Sequence, residues 1–309
     1  MKLPKFSKET KNNHPTPPWM EDMAEGDFIS CDTVFKMGEY WDIFDKCTFS
    51  CEEKGDIRYF VYNPIKHGGA PADRKYPVLM WIHGLNCSID GIRCVGYSGA
   101  EQFASKKYQE AMGGGAFIIV PLANESRLDD DTIVGSWDEE YLPYLKDIMD
   151  KVCEEYSDNV GAKFIMGASN GGYVTWRMLE LYGDYFQGAI PCASGYVPNN
   201  ESLRKIDEAG IHLIVAHSRH DEMALFETCI EPIENELHSM KNCICFFPEW
   251  IRNEDKGVAS INYGIEMGQH CIINPIQGNL MYTDGSCYDE SMPNGITGWI
   301  KEVFEFHRA

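Results

Sequence analysis

Short uninterrupted runs of apolar residues recur along this chain, and polar or glycine-rich turns separate them. A strand with one solvated face alternates apolar and polar residues, whereas a strand covered on both faces is apolar throughout. The runs therefore predict the strands of a mostly parallel, buried sheet. These strands are 56–62, 77–82, 116–120, 163–166, 188–192, 211–216 and 243–247.

Apolar residues recur at helical spacing between several of these runs. Two faces are formed by Leu145, Ile148, Met149 and Val152, and by Val174, Met178 and Leu181. Pro143 suits the first turn of the earlier helix. Further helices are predicted over 223–238 and 296–306. Alternation of strands and helices predicts the α/β class, with helices on both faces of one central sheet.

The ends of the chain and one long loop complete this organisation. Residues 1–25 are polar and interrupted by prolines, which predicts an N-terminal arm before a single domain over 26–309. The loop 124–137 is long and polar and follows a predicted strand. Ligands bind at the carboxyl ends of such strands, so this loop is a candidate functional element.

Charge and composition restrict the classes of partner. The 309 residues include 27 Lys and Arg against 48 Asp and Glu, a net charge of -21. Phosphate contacts need clustered cations, so nucleic acid and anionic membrane surfaces are not expected partners. The 12 cysteines, and the polar residues after a basic N-terminus, favour free thiols in the cytoplasm. Secretion after removal of a signal peptide stays open, and the oligomeric state is not indicated.

The stretch Gly167-Ala168-Ser169-Asn170-Gly171-Gly172 carries the strongest chemical signal. It lies between a predicted strand and a predicted helix, which is the context of a G-x-S-x-G nucleophile elbow. In such a turn the serine hydroxyl is lifted away from the sheet. The Asn170 amide begins the helix, where it is free to bind a developing oxyanion.

A serine nucleophile needs a base, and the base needs an orienting carboxylate. In this arrangement the acid and then the histidine follow the serine along the chain. Asp221 follows the predicted strand 211–216 and is the expected acid, with its neighbour Glu222 as the alternative. His270 lies in a loop after the last strand and is the expected base. His238 and His307 are less suitable because both lie on predicted helices.

The loop after strand 77–82 is expected to supply the second oxyanion donor. Gly84 permits a close approach, so the Leu85 amide is the predicted donor, and His83 is predicted to hold the loop by bonding backbone. Substrate contacts are hypothesised for Trp137, Asn86 and Tyr196. Each follows a strand end, but packing in the core or at the surface explains each one equally well.

Two other clusters are not expected to carry chemistry. Asp129-Asp130-Asp131 lacks the glycine and the distant glutamate of a calcium loop, so no metal is predicted. Gly113-Gly114-Gly115 precedes a strand, whereas phosphate-binding loops follow one.

Taken together, these motifs resemble the α/β-hydrolase superfamily. Within it, the chain is similar to prolyl-oligopeptidase-like enzymes and to single-domain esterases of the polyhydroxybutyrate-depolymerase and feruloyl-esterase type. The segments that carry the resemblance are His83-Gly84, the elbow 167–172, 185–191, 217–221 and 268–270. The resemblance implies cofactor-free hydrolysis of esters, with Ser169, Asp221 and His270 as the triad. Residues 250–268 match no family pattern.

The expected function is that of a serine hydrolase, which cleaves a small-molecule carboxylic ester with a small or medium acyl group. A small peptidase or amidase would use the same residues, and aminoacyl anilides would distinguish it from an esterase. A catalytically silent binding domain is the alternative from another class, and it would not react with a serine-directed probe.

Overall fold

The computed structural model describes residues 38–249, 251, 269–281, 285–287 and 289–308. The strands are β1 (Asp45–Phe49), β2 (Ile57–Tyr62), β3 (Tyr76–Ile82), β4 (Phe117–Pro121), β5 (Ser126–Arg127), β6 (Ile133–Val134), β7 (Val160–Ala168), β8 (Gly188–Cys192), β9 (His212–Ala216) and β10 (Cys243–Phe246). All the strands predicted from the sequence are present, with ends that differ by a few residues.

Helices connect most of these strands. They are α1 (Pro64–Gly68), α2 (Cys94–Tyr97), α3 (Lys106–Ala111), α4 (Leu142–Glu155), α5 (Asn170–Leu181), α6 (Asn200–Glu208), α7 (Phe226–Cys229), α8 (Glu234–Ser239), α9 (Ile273–Gln277) and α10 (Gly295–Phe306). Short 3-10 turns lie at Trp41–Ile43, Ser88–Arg93, Glu101–Ala104, Glu139–Tyr141, Gly183–Tyr185 and Glu231–Ile233.

Eight strands form one sheet in the order β1-β2-β4-β3-β7-β8-β9-β10. The strands β1 and β2 pair antiparallel with each other, and β2 pairs antiparallel with β4. All other neighbours in this sheet are parallel. The loops that follow β3, β4, β7 and β9 therefore all leave the sheet on the same side, at the carboxyl ends of its parallel strands. This architecture confirms the predicted fold class.

Both faces of the sheet are covered, which explains why its central strands are apolar throughout. All 7 residues of β3 are buried. Val78 and Met80 pack in a core cluster together with residues of α4 and α5. Leu79 and Trp81 point to the other face, in a cluster that includes residues of α10. The uninterrupted hydrophobicity thus comes from two cores that share one strand.

Three details of the secondary structure differ from the prediction. The first strand, β1, was not expected, because its residues alternate between exposed and half-buried. The single helix expected over 223–238 was wrong, since α7, a 3-10 turn and α8 replace it. Pro232 in that turn has no amide proton and cannot continue an α-helix. Leu181 was expected on the buried face of α5, but 53% of it is exposed.

Several predictions fall wholly or partly outside the described ranges. The N-terminal arm over 1–25 lies outside them, and so do residue 250 and residues 252–268. A single domain over 26–309 stays a prediction. In the part of the chain that the structure describes, no helix has the length and apolar character needed to cross a membrane.

Candidate active site

Ser169 occupies the turn between β7 and α5. Its backbone has φ 58° and ψ -121°, a conformation that side-chain-bearing residues seldom adopt and that costs about 1–3 kcal/mol. The Ser169 amide donates to the carbonyl oxygen of Cys192 at 3.0 Å, which ties the turn to β8. A strained residue in the turn at the carboxyl end of a central strand is the backbone geometry expected of a nucleophile elbow.

Glycines flank this serine because neighbouring backbone approaches them closely. A Cβ atom on Gly167 would lie 2.6 Å from the carbonyl oxygen of Ile82. A Cβ atom on Gly171 would lie 2.9 Å from the carbonyl oxygen of His83. Larger residues at either position would push β3 away from the elbow, so the glycines allow the loop after β3 to reach Ser169.

Asp221 and His270 come together although they are distant in sequence. The Nδ1 atom of His270 lies 2.9 Å from both carboxylate oxygens of Asp221, which is fully buried. Oδ1 of Asp221 also accepts the amides of Met223 and Ala224, at 2.9 and 2.7 Å. These amides fix the carboxylate before it meets the imidazole. The Asp221–His270 contact agrees with the predicted pairing.

The Nε2 atom of His270 is buried and has no hydrogen-bond partner among the described residues. The hydroxyl of Ser169 therefore makes no hydrogen bond to it in this structure. Only β8 separates the strand that ends at Ser169 from the strand that precedes Asp221. With neighbouring strands about 4.8 Å apart, this separation is about 10 Å, which an imidazole ring between the two side chains can span.

Two neighbouring side chains position the turn that carries His270. The carboxylate of Glu222 accepts the amide of Gln269 at 3.0 Å. The side-chain amide of Gln269 makes two hydrogen bonds with the backbone of Ile251. Its oxygen accepts the Ile251 N–H at 2.7 Å, and its NH2 group donates to the Ile251 carbonyl at 3.3 Å. The imidazole is thus held by its neighbours in the chain as well as by Asp221.

Glu222 was the alternative acid. Its carboxyl group accepts the backbone amide of Gln269, the residue that precedes His270. Burial raises the pKa of its carboxyl to about 8, and the negative charge of Asp221 acts in the same direction. Its Oε1 atom is buried without a hydrogen-bond partner among the described residues. Near pH 7 most Glu222 side chains are therefore neutral.

Two buried histidines support the loops of the site. His83 Nδ1 donates to the carbonyl of Gly84 at 2.6 Å, and its Nε2 accepts the amide of Ala123 at 3.0 Å. This confirms that His83 holds its loop by bonding backbone. His217, for which the sequence indicated no role, donates Nε2–H to the carbonyl of Ala224 at 2.6 Å. Burial lowers the pKa of both rings, so each remains neutral.

The loop after β3 passes directly over the elbow. We call residues 83–88 the β3 loop. A Cβ atom on Gly84 would lie 3.5 Å from Cβ of Ser169. Neither the Leu85 amide nor the Asn170 amide has an acceptor among the described residues. Two unpaired amides thus flank the serine, one on the β3 loop and one at the start of α5.

The three hypothesised substrate contacts lie in different surroundings. Trp137 is only 4% exposed and donates Nε1–H to the carbonyl of His83 at 3.1 Å. Asn86 is exposed, with φ 67°. Tyr196 is half-buried and donates its hydroxyl to Glu180 at 2.9 Å. Substrate contact stays a prediction for each.

The remaining predicted candidates lie apart from this pair of residues. His238 contacts Glu234 at 3.9 Å on α8, and His307 packs against the ring of His212. Asp131 pairs with Arg127 at 3.4 Å on the surface of the loop 124–137, which we call the β4 loop.

Two residues of the β4 loop were missed by sequence reasoning. Glu125 and Ser136 lie 2.8 Å apart, and Ser136 is also 2.8 Å from Oδ1 of Asn170. The only available signal was the position of this polar loop after a buried strand. Their partners are far away in sequence, so no local spacing could have indicated these contacts.

The sheet order, the elbow and the loops around it define an α/β-hydrolase fold. A family model described as "Putative esterase" matches residues 50–226, which is more than half of the chain. The chain belongs to this Esterase family of ester-cleaving hydrolases. This membership confirms the resemblance.

Solved structures support the same fold. A thermostable esterase is 23% identical, with a TM-score of 0.60, over 77% of this chain and 61% of that chain. The siderophore hydrolase EstA from Aspergillus nidulans is 11% identical, with a TM-score of 0.52, over 77% and 93%. A mutant of the feruloyl esterase module from Clostridium thermocellum, complexed with sinapinate, is 13% identical, with a TM-score of 0.51, over 90% and 95%.

This chain spans less than two thirds of the thermostable esterase. No curated protein matches it.

Proposed function

We propose that this protein is a serine hydrolase that cleaves a small or medium carboxylic ester through an acyl-enzyme. Ser169 is the nucleophile, His270 is the general base and acid, and Asp221 orients the imidazole. The observation that carries the proposal is the Asp221–His270 pair, with Nδ1 at 2.9 Å from the carboxylate. The Nε2 atom of His270 is buried and has no hydrogen-bond partner among the described residues.

The proposed reaction begins when the hydroxyl oxygen of Ser169 attacks the carbonyl carbon of the ester. Nε2 of His270 takes the hydroxyl proton, and the carbonyl oxygen becomes an oxyanion. The imidazolium then gives this proton to the departing alkoxide, which leaves as the alcohol. Asp221 keeps the other ring proton on Nδ1, so that Nε2 is the free base at the start of each cycle.

Hydrolysis of the acyl-enzyme repeats these steps with water. His270 takes a proton from the attacking water and then returns it to the Ser169 oxygen, which releases the carboxylic acid. Apo triads often have long serine–histidine contacts that shorten when substrate binds. The unpaired Nε2 is consistent with that behaviour.

The amides of Leu85 and Asn170 are the proposed donors to the oxyanion. Both lack a protein acceptor among the described residues, and both flank Ser169. Each donor of this kind is worth about 3 kcal/mol of transition-state stabilisation. Because they belong to the backbone, side-chain replacements at these two positions leave the donors in place.

Exposed apolar side chains around the site favour an ester with a neutral, apolar acyl group. Leu85 and Ile89 follow β3, Leu128 and Val134 lie in the β4 loop, and Met223 follows Asp221; all five are large and exposed. We call these five residues the apolar rim. Each loop that bears them contacts Ser169, Asn170 or Asp221. The net charge of -21 would disfavour an anionic substrate.

A fluorophosphonate probe tests the proposal directly. We expect the probe to label Ser169 covalently, and Ser169→Ala to abolish both labelling and hydrolysis of p-nitrophenyl butyrate. Ser239→Ala is the matched control, because Ser239 is an exposed serine on α8, and it should label like the wild type. Persistent labelling of Ser169→Ala at the wild-type rate would overturn the assignment.

Parallel assays with aminoacyl anilides separate ester from amide cleavage. An amine leaves less readily than an alkoxide, so we expect anilide turnover to be far below ester turnover. A cytoplasmic location also stays a proposal, and it rests on the cysteine content.

A further inference from the structure

Glu125 is a buried carboxylate surrounded by hydrogen-bond donors. Its side chain lies in the β4 loop, and the residue is 9% exposed. Oε1 accepts the Asn86 amide at 2.9 Å and the Ser136 hydroxyl at 2.8 Å. Oε2 accepts the amide and the hydroxyl of Ser88, at 2.9 and 2.7 Å. Both carboxylate oxygens are therefore fully engaged with groups of the β3 and β4 loops.

The donors keep Glu125 ionised despite its burial. Burial alone would raise the pKa of this carboxyl, but the nearby His83 ring, followed by the hydrogen bonds from Ser88 and Asn86, outweighs burial and holds the pKa below its ordinary value. Among the described residues no lysine or arginine forms an ion pair with Glu125. Its negative charge is stabilised by dipoles of the two loops.

These contacts fix the second half of the β3 loop. His83 holds the first half through Gly84 and Ala123. Glu125 holds the second half through the amides of Asn86 and Ser88. Leu85 lies between the two anchors, and its own side chain is 53% exposed, so packing does not hold it.

The carboxylate also favours the unusual backbone of Asn86. This residue has φ 67°, in the left-handed region that residues other than glycine visit infrequently. A charge-assisted hydrogen bond from its amide offsets the cost of that conformation. If this bond is lost, the loop can relax, and the peptide plane of the Leu85 amide moves with it.

Ser136 extends the network to the other side of the elbow. Its hydroxyl donates its one proton to Glu125 at 2.8 Å, and the side-chain oxygen of Asn170 lies 2.8 Å from the same hydroxyl oxygen without receiving a second proton. Asn170 carries the second proposed oxyanion donor. One carboxylate is thus connected to both segments that flank the Ser169 hydroxyl.

We propose that Glu125 is a positioning residue, which holds the Leu85 amide of the β3 loop at the right distance from the Asn170 amide to bind the oxyanion. The inference rests on the proposed function. It assigns Glu125 no contact with substrate and no proton transfer. Its effect is on the geometry of backbone donors that act only as charge develops in the transition state.

Glu125→Gln tests this role with almost no change of volume. One oxygen of the glutamine still accepts two donors, but its NH2 group faces the other two donors and repels them. Complete loss of one oxyanion donor costs about 10²–10³ in rate. We expect displacement of the donor to lower kcat by about 10–100-fold, with KM changed by less than about threefold.

A transition-state analogue separates positioning from a general loss of structure. A trifluoromethyl ketone with the same acyl chain forms a negatively charged hemiketal oxygen on Ser169. We expect Glu125→Gln to weaken its inhibition constant by the same factor as it lowers kcat/KM. Glu125→Asp keeps the charge at a shorter reach, and it should recover part of both losses.

Glu101→Gln is the matched control. Glu101 is also buried and accepts two protein hydrogen bonds, from the Tyr40 amide and the Trp41 indole. Glu101→Gln should lower the midpoint of thermal unfolding by about as much as Glu125→Gln does. It should leave kcat and the inhibition constant of the trifluoromethyl ketone unchanged. If Glu101→Gln lowered kcat as much as Glu125→Gln, the positioning role would be overturned.

Ser136→Ala tests the same network if Glu125→Gln does not fold. It removes one donor to the carboxylate, and we expect a fall in kcat of about 3–10-fold with a parallel weakening of the ketone. Wild-type kcat in a folded Glu125→Gln, or in Ser136→Ala where the former is unfolded, would refute the proposal. Full hydrolysis by Ser169→Ala would instead refute the proposed function, so the two failures are distinguishable.

Discussion

Two buried carboxylates serve the two sides of this site in different ways. Asp221 follows β9 and accepts two amides of its own turn, and it binds the ring of His270. Glu125 follows β4 and accepts two amides and one hydroxyl from the β3 loop and one hydroxyl from its own loop. One carboxylate orients a side chain, whereas the other orients backbone. Both carboxylates carry the same charge, but Asp221 binds an imidazole side chain and Glu125 binds backbone amides and hydroxyls of loops.

This difference decides how visible each side is in a sequence. A general base that works near neutral pH is most often a histidine, so the acid side has a motif that can be found. A backbone amide can belong to any residue, and the carboxylate that holds it has no fixed partner type. The oxyanion side is therefore encoded mainly by three-dimensional contacts.

The largest expected effect comes from the acid side. Asp221→Asn keeps the shape but places an NH2 group against Nδ1–H of His270, which favours the wrong tautomer. We expect kcat to fall by about 10³–10⁴-fold, well beyond the effect of Glu125→Gln. Steady-state kinetics with p-nitrophenyl butyrate measures the ratio. Equal effects of the two variants would remove the distinction drawn between the two carboxylates.

Glu222 sharpens the comparison, because it is a half-buried carboxyl next to Asp221 in the chain and has a raised pKa of about 8. A folded-state pKa above the unfolded value of 4.5 gives stability that is fully present below pH 4.5 and is lost as pH rises to about 8. Glu222→Gln removes this dependence. Relative to pH 4.5, the variant should gain about 2–4 kcal/mol over the wild type at pH 8.5.

Urea unfolding of both proteins at pH 4.5 and pH 8.5 checks this sign. Glu125→Gln is the matched opposite, because the pKa of Glu125 is lowered and its stabilisation is lost toward acid pH. If wild type and Glu222→Gln lost stability equally between the two pH values, folding would not raise the pKa of Glu222.

The smallest expected effect concerns the apolar rim. The double variant Leu128→Ser with Val134→Ser removes exposed apolar surface from the β4 loop, on the side of the proposed oxyanion donors. Met223→Ser removes exposed apolar surface beside Asp221. We expect the double variant to raise KM about 5–10-fold for p-nitrophenyl octanoate and to leave the acetate unchanged, by loss of apolar contact.

Leu181→Ser is the control for the rim, because Leu181 is equally exposed at the far end of α5. It should change neither KM. A mono-succinate ester beside the butyrate tests charge, and preference for the succinate would contradict a neutral substrate.

The central sheet was largely predictable, because double coverage makes its strands apolar throughout. The predicted runs at β3, β4, β8 and β9 agree with the strands to within one residue at each end. The edge strand β1 was not predictable in this way, since a single half-buried face leaves it mostly polar. The short strands β5 and β6 have 2 residues each, which is too few for any period to appear.

The sequence names candidate site residues only where chemistry demands a residue type, and their catalytic roles stay predictions. Ser169 was indicated by its glycines, and Asp221 and His270 by their order along the chain. Glu125 was not indicated, and His217 and Gln269 lay in motifs of the resemblance without a role, because any polar residue after a strand would look the same. Their importance comes from partners in other loops, and such pairing is settled only when the chain folds.

The two hydrogen bonds between Gln269 and Ile251 have a consequence for the chain that joins these residues. These two residues are joined by a pair of amide hydrogen bonds, so the two ends of the stretch 252–268 are held close together beside His270. Lengthening such a segment adds little closure entropy, about 0.6 kcal/mol for each doubling. Related enzymes could therefore exchange or resize this stretch during evolution, and acquire new selectivity without dislodging the base.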